Sequence, residues 1–311
     1  MKISQKRRFA FSITLAGIAL AACGGGGDSA ESTSTSVAPT TVATTEAPTT
    51  VPETTTTVPV PLMPLTGQPV VDEAIAVRPA IAAKIDNHPG ARPQTGLNEA
   101  DIVYEENVEK WTRFAVVFHS QGADPVGPLR SGRSQDINIL TSLNRPLFLW
   151  SGGNGAVTSL IQKSELVNMS ASAASNGGGF FRSTDMKAPH NLFSKTSNIW
   201  ALDAGRGGTP PPQFSYRTEG SALGAPTAGL KLTMDGNMKT AWQWDPTMMK
   251  FVRFHDAKAH VDSNGVQVNM DNVVVIVCEY KFSSADKNSP EAQTVGTGAA
   301  WLFTQGTWAE G

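Results

Sequence analysis

Four polar clusters hold the residues of this sequence that are equipped for chemistry. The first is Asp86-Asn87-His88-Pro89, with Arg92 and Gln94 close behind. The second is Glu105, Glu106 and Glu109 with Arg113. The third is Gly127-Pro128-Leu129-Arg130-Ser131-Gly132-Arg133. The fourth is Arg182 followed by Lys187-Ala-Pro-His190-Asn191. In the third cluster two guanidiniums stand three residues apart, beside flexible backbone, at a loop-to-helix junction. Such forks of donors suit bidentate binding of phosphate or carboxylate. Arg92 and Arg182 would complete an anion pocket.

Each cluster also has a plainer reading, which for Arg130 and Arg133 is a structural Arg-Glu network. Asp86-Asn87 before a Pro-Gly pair is also turn chemistry, because short side chains cap their own backbone there. His88 and His190 each adjoin a proline in a loop, where a structural histidine is at home. The glutamates fit a solvated edge paired with Arg113, a pairing worth little if exposed. Asp86, His88 and Glu105 are too scattered to specify a metal site, and no cofactor is assigned. His255, Asp256, His260 and Asp262 admit a metal reading or a strand–turn–strand one. The sequence has no phosphate-binding P-loop, dinucleotide Gly-x-Gly-x-x-Gly turn, Gly-x-Ser-x-Gly elbow or His-Glu-x-x-His helix.

The elements that must position these residues read as two parts. Residues 62–207 read as an α/β (or α+β) domain. Strands are expected at Pro79–Asp86, Ile102–Glu106, Arg113–His119 and Leu147–Trp150, and helices at Ser134–Leu143 and Asn154–Ser164. Residues 208–311 read as a smaller antiparallel β-rich domain after the seam Gly205-Arg-Gly-Gly-Thr-Pro-Pro-Pro212. Gly229–Met234, Thr240–Trp244 and Lys250–Phe254 alternate at period two between Asp-Gly-Asn and Asp-Pro breakers. Asn272–Tyr280 and Gly298–Phe303 add strands. Gly306-Thr-Trp308 resembles the middle of a hairpin, so truncation at the C-terminus is the expectation. A lone Cys278 in a Val/Ile run reads as a small buried hydrophobe.

The N-terminus sets the compartment. Lys2, Lys6, Arg7 and Arg8 precede the apolar run Phe9–Ala19, which suits a signal peptide and is too short for a spanning helix. Leu20-Ala21-Ala22-Cys23 then supplies a small-residue cleavage site with a thiol in the first mature position. Residues 1–22 are thus expected to be a lipoprotein signal and Cys23 the lipidated residue. Two acyl chains on one residue give lasting anchorage at the extracytoplasmic membrane face. Residues 23–61, rich in Thr and Pro and without aromatics, read as a disordered tether. The formal net charge of −2 supplies no basic field calling for nucleic acid. The expected partners are the membrane, through the lipid, and an anionic cell-wall component or another envelope protein.

Several stretches resemble the YerB-like bacterial lipoprotein family, whose biochemical function is not established. They include Pro64–Gly67, Ile85-Asp-Asn-His-Pro-Gly-Ala-Arg-Pro-Gln94, Glu99–Glu105, Thr112-Arg-Phe114, Val126–Arg133, Phe180-Phe-Arg182, Ala188–Leu192, His260-Val-Asp262 and Asn272-Val-Val274. The resemblance implies an N-terminal α/β domain and a C-terminal β-rich one. Lys110-Trp111 departs from it, standing where small residues are expected. The order of elements also resembles the LytR-CpsA-Psr phosphotransferases, which act on lipid-linked pyrophosphates. That likeness implies Arg130 and Arg133 on phosphate and Asp86 or Asp101 on Mg²⁺. Three functions therefore stand side by side: a binding module, an envelope phosphotransferase and a structural lipoprotein.

Overall fold

The structure, a computed structural model, describes residues 60–311 except 219, 222, 235 and 236. The expected signal peptide, Cys23 and the tether up to residue 59 lie outside the described residues, as do Asp235 and Gly236 of the first expected hairpin turn.

A mixed five-stranded sheet organises the first part. Its strands are β1 (Ile81–Asp86), β2 (Ile102–Asn107), β3 (Thr112–Phe118), β4 (Leu147–Trp150) and β5 (Val167–Ser170). They lie in the order β2-β3-β1-β4-β5. β3 runs antiparallel to β1 and β2, whereas β1, β4 and β5 are parallel. Parallel neighbours need crossovers, and helix α3 (Gly155–Lys163), between β4 and β5, is one. Asn154 starts it by accepting the Val157 N–H at 2.9 Å. The other helices are short: α1 (Glu73–Val77), α2 (Gln135–Leu140) and α4 (Thr196–Ala201).

β1 and β3 are buried along their whole length because both sheet faces are covered. On one face Ile81, Ala83 and Ile85 meet Phe114, Val116, Phe118 and Ile199 of α4. On the other, Ala82, Ala115, Val117, Phe148 and Trp150 meet Val157 and Ile161 of α3. The helix expected over Ser134–Leu143 is α2 continued by a 3₁₀ turn.

The second part is antiparallel. After β6 (Phe181–Arg182) and β7 (Leu192–Phe193), which pair with each other, come β8 (Ala225–Pro226), β9 (Gly229–Met234), β10 (Met238–Asp245), β11 (Lys250–His255), β12 (Lys258–Ala259) and β13 (Asn269–Met270). β9 to β12 form one sheet, with β13 on β11. β14 (Asn272–Ile276), β17 (Ala300–Thr304) and β18 (Thr307–Glu310) form a second with β8, and β15 (Tyr280–Phe282) pairs with β16 (Pro290–Ala292). Leu230, Phe251 and Phe303 pack at the centre, surrounded by Trp242, Trp244, Trp301 and Trp308. The single strand expected over Asn272–Tyr280 breaks after Ile276, where pairing passes from β17 to β16. Cys278 falls in that break and is half-buried rather than buried.

Pro61–Gly311 form one compact unit. Val268, Trp242 and Met270 from the second part pack on the core face carried by Ile81 and Phe114.

Candidate functional site

Asp86 is the last residue of the central strand. Three chain segments converge there through backbone pairing. The Asp86 N–H donates to Pro128 O at 2.9 Å, and Arg130 N–H donates to Lys84 O at 2.8 Å. Leu129 N–H in turn donates to Leu192 O at 2.6 Å. The 127–131 segment therefore lies between the end of β1 and the segment that carries His190. Antiparallel register sets Arg113 opposite Asp86.

The Asp86 carboxylate is almost wholly buried and fully engaged. Its Oδ2 accepts from His190 Nδ1 at 2.6 Å and from Arg130 Nε at 3.0 Å, and its Oδ1 from the His88 N–H at 3.1 Å. Burial pushes this carboxyl up, but the His190 and His88 hydrogen bonds, with Arg113 and Arg130, outweigh it and hold it below the ordinary carboxylate value. An ionised Asp86 accepts a hydrogen bond from His190 Nδ1–H, so in the neutral ring the lone pair is on Nε2.

His88 stacks on His190 with ring centroids 4.3 Å apart and planes 6° from parallel. Its Nδ1 accepts the Gly90 N–H at 3.0 Å, so a neutral His88 carries its proton on Nε2. Burial, then the neighbouring His190, lowers the basicity of His88. Trp111 meets the His88 ring edge-on at 5.2 Å. The same Trp111 lines a cleft of about 390 Å³ with Pro89, Arg92, Lys110, Met238 and Asp256.

Arg130 is the open cation of the cluster. Its side chain is 25 % exposed and engages Asp86 through Nε alone. No other hydrogen bond from its guanidinium occurs among the described residues. Its two terminal amines are therefore an accessible donor fork, beside a histidine whose Nε2 likewise has no partner among the described residues.

The remaining predicted residues divide among other networks. Arg133 does not share a fork with Arg130: its side chain is buried and pairs with Glu109 at 2.5 Å. Nor do the glutamates pair with Arg113, whose Nη1 donates to Ser131 O at 2.8 Å. Glu105 meets Arg253 and Glu106 meets Lys84. Arg182 is exposed and holds Asn191 Oδ1 at 2.8 Å, while Asn191 donates to Ser183 O. Arg92 folds back on Asn87, donating to its carbonyl at 2.9 Å, and Asn87 donates to Thr112 and Glu105.

The His255–Asp262 stretch is strand, turn and strand. Asp256 and Ala257 form the turn at positive φ. The two histidines serve Arg253, which donates through Nη1 to His255 Nε2 at 2.5 Å and His260 Nδ1 at 2.6 Å. Through Nη2 it donates to Glu105 at 2.8 and 2.9 Å. His260 Nε2 then donates to Gln94 Oε1 at 2.7 Å. Asp262 accepts from Asn98 and from the N–H groups of Asn264 and Val266. The named nitrogens of Arg253's two histidines and the Asp262 carboxylate are thus engaged with protein partners, as the strand–turn–strand reading expects. Among the described residues no three His, Cys, Asp or Glu side chains gather as metal ligands.

Asp86 and Asp101 do not converge on one ion either. Asp86 faces Arg113 at one end of β3, while Asp101 caps the other end, accepting from the Ser120 N–H at 2.8 Å and from the His119 N–H. Sequence reasoning missed Arg253, Lys84 and Asp136. A charged residue inside an apolar alternating strand, such as Lys84 in Ile81–Asp86, was the available signal.

Residues 65–209 match the family described as "Protein of unknown function (DUF3048) N-terminal domain", and residues 230–311 match its C-terminal domain. The chain belongs to the DUF3048 family. Over 137 residues it is 33 % identical to the "Putative lipoprotein YerB" of Bacillus subtilis (strain 168), a match covering 44 % of this chain and 40 % of that protein. The crystal structure of YerB from Bacillus subtilis shares the fold with a TM-score of 0.70 at 23 % identity, over 80 % of this chain and 85 % of that one. The DUF3048 fold is thus a mixed-sheet part followed by antiparallel sheets.

Proposed function

We propose that this chain is an extracytoplasmic lipoprotein, anchored through Cys23, whose folded part binds an anionic component of the cell envelope. The order of charge, apolar run, small residues and Cys at the N-terminus supports the anchor. So does the name carried by the Bacillus subtilis relative.

The observation that carries the binding role is the outward fork of Arg130 beside His190. A guanidinium pinned at Nε by a buried carboxylate loses little freedom on meeting phosphate or carboxylate, so most of its charge-assisted bonding is realised as affinity. Arg92, Lys110 and Trp111 extend the surface into a cleft with cationic groups and an aromatic wall. That wall suits an anion attached to a sugar ring.

A second reading rests on the Asp86–His190 pair. A buried carboxylate orients the ring and leaves Nε2 outward, the arrangement of a general base. On this reading the chain is an envelope phosphotransferase in which His190 accepts the proton of an attacking hydroxyl.

Thermal unfolding with and without inorganic pyrophosphate tests the binding role, with Arg130→Gln as control. A ligand at 100 times its dissociation constant adds about 2.7 kcal/mol. A rise in melting temperature that Arg130→Gln abolishes supports the site. An equal rise in both proteins refutes it. Time-dependent cleavage of a lipid pyrophosphate, lost in His190→Gln, would favour the second reading.

A further inference from the structure

Beneath the same sheet end lies a second cluster that the site does not use. Lys84 and Asp136 are 0 % exposed and Glu106 is 3 % exposed. All three sit on the face lined by Ala82, Ala115, Val117, Phe148 and Trp150. Lys84 on β1 and Tyr104 on β2 both pair with Ala115 of the intervening strand β3, and Glu106 lies two residues beyond Tyr104 on the same face. The small Ala115 leaves the lysine stem room to cross β3 and bring Nζ against the Glu106 carboxyl.

The two carboxyl groups around Lys84 are not equivalent. Asp136 accepts from Lys84 Nζ through Oδ1 and from the Arg133 N–H through Oδ2, each at 2.6 Å. Those bonds suit a carboxylate. Glu106 has both oxygens buried and, apart from its contact with Lys84, neither takes a hydrogen bond among the described residues. A buried carboxyl without donors favours its neutral acid, which is the electrophilic form.

We propose that Lys84 and Glu106 are joined by an intramolecular amide bond, with Asp136 as the proton carrier. Proton transfer from the lysine ammonium to the Glu106 carboxylate gives an amine and an acid. Nζ attacks Cδ of Glu106, and the Nζ–Cδ bond forms. Asp136 takes a proton from Nζ and passes it to the departing hydroxyl, the Cδ–O bond breaks, and one water leaves. No oxidant or cofactor is required.

Burial, only partly offset by Asp136, lowers the Lys84 pKa to about 8, and the Arg113 and Arg133 charges act in the same direction. The nucleophilic amine is therefore accessible near neutral pH. Exclusion of water from this core also disfavours the reverse hydrolysis. The bond would tie the central strand to the edge strand β2. The sequence has two cysteines, one of them in the expected lipidation position, so on that expectation no disulfide would do so.

The test is mass spectrometry of the full chain, denatured and digested with trypsin. The expected product is a branched peptide joining the Lys84 and Glu106 segments, lighter by one water than their sum. Asp136→Asn, checked for folding by circular dichroism, should yield the two segments unlinked. Unlinked segments of full mass from the folded wild-type chain would overturn the proposal. A link to Asp136 in place of Glu106, or a link that persists in folded Asp136→Asn, would overturn the assigned roles.

Discussion

Replacing Arg253 with Met should cost more stability than any exposed substitution in the molecule. Arg253 is 1 % exposed and, among the described residues, is the sole cation paired with Glu105, whose side chain is 14 % exposed. Methionine keeps much of the stem volume but leaves Glu105, among the described residues, with the Thr112 hydroxyl and the Asn87 amide as donors. Stripping one partner from a buried pair costs about 3–5 kcal/mol, because the remaining charge stays desolvated. The residual exposure of Glu105 places this case near 3 kcal/mol. At about 2–4 °C per kcal/mol for a chain of this size, melting should fall by roughly 6–12 °C. Urea unfolding of Arg253→Met, Glu105→Gln and the double variant is the assay. The double variant should be more stable than the sum of the single losses predicts, since Gln removes the orphaned charge. A loss below about 1 kcal/mol in Arg253→Met, or strict additivity, would refute the view that this pair joins the two parts of the fold.

The same network gives the protein an acid limit. Burial and the Arg253 charge depress the folded pKa values of His255 and His260 far below that of an ordinary histidine. The unfolded chain binds protons at these positions below about pH 6.5 while the folded chain does not, so their stability contribution is full above that pH and lost as pH falls. By pH 5.5 the two should cost about 2.5 kcal/mol. His260→Gln should flatten that slope by about one proton in urea titrations across pH, and an unchanged slope would count against it. Gly127→Ala should lose about 1–3 kcal/mol, since the position has φ +151° and an added Cβ would stand 2.9 Å from Leu192 O. Calorimetric unfolding would show this, and a neutral outcome would contradict the tight apposition of 127–131 to the His190 segment. Trp111→Ala should leave melting nearly unchanged but weaken binding of a phosphorylated sugar by about 1 kcal/mol. Equal affinity would remove Trp111 from the cleft's role.

Much of the fold was legible because its strands obey simple patterning. Leu147–Trp150 and Gly229–Met234 match the expected bounds, being short apolar or alternating runs between strong breakers. The break after Ile276 was not legible. Val273–Cys278 is one uninterrupted apolar run, and only the change of pairing partner ends the strand.

In the site, the residue types were visible but their partners were not. Asp86, His88, Arg130 and His190 do converge. Arg133 looked equivalent to Arg130 in the sequence, yet the turn into α2 buries it against Glu109. Arg253 and Lys84 were hidden because sequence alone cannot distinguish a cation facing solvent from one facing a carboxylate 148 residues away, as Arg253 faces Glu105.

An anion site at the end of β1 can be read out by titrating the folded protein with inorganic pyrophosphate and following the ¹⁵N resonances of His190 Nε2 and the Arg130 guanidinium. Saturable shifts are expected at both residues, lost in Arg130→Gln, with the His255 and His260 signals unmoved. Shifts that do not saturate, or that leave His190 and Arg130 untouched, would contradict an anion site at the end of β1.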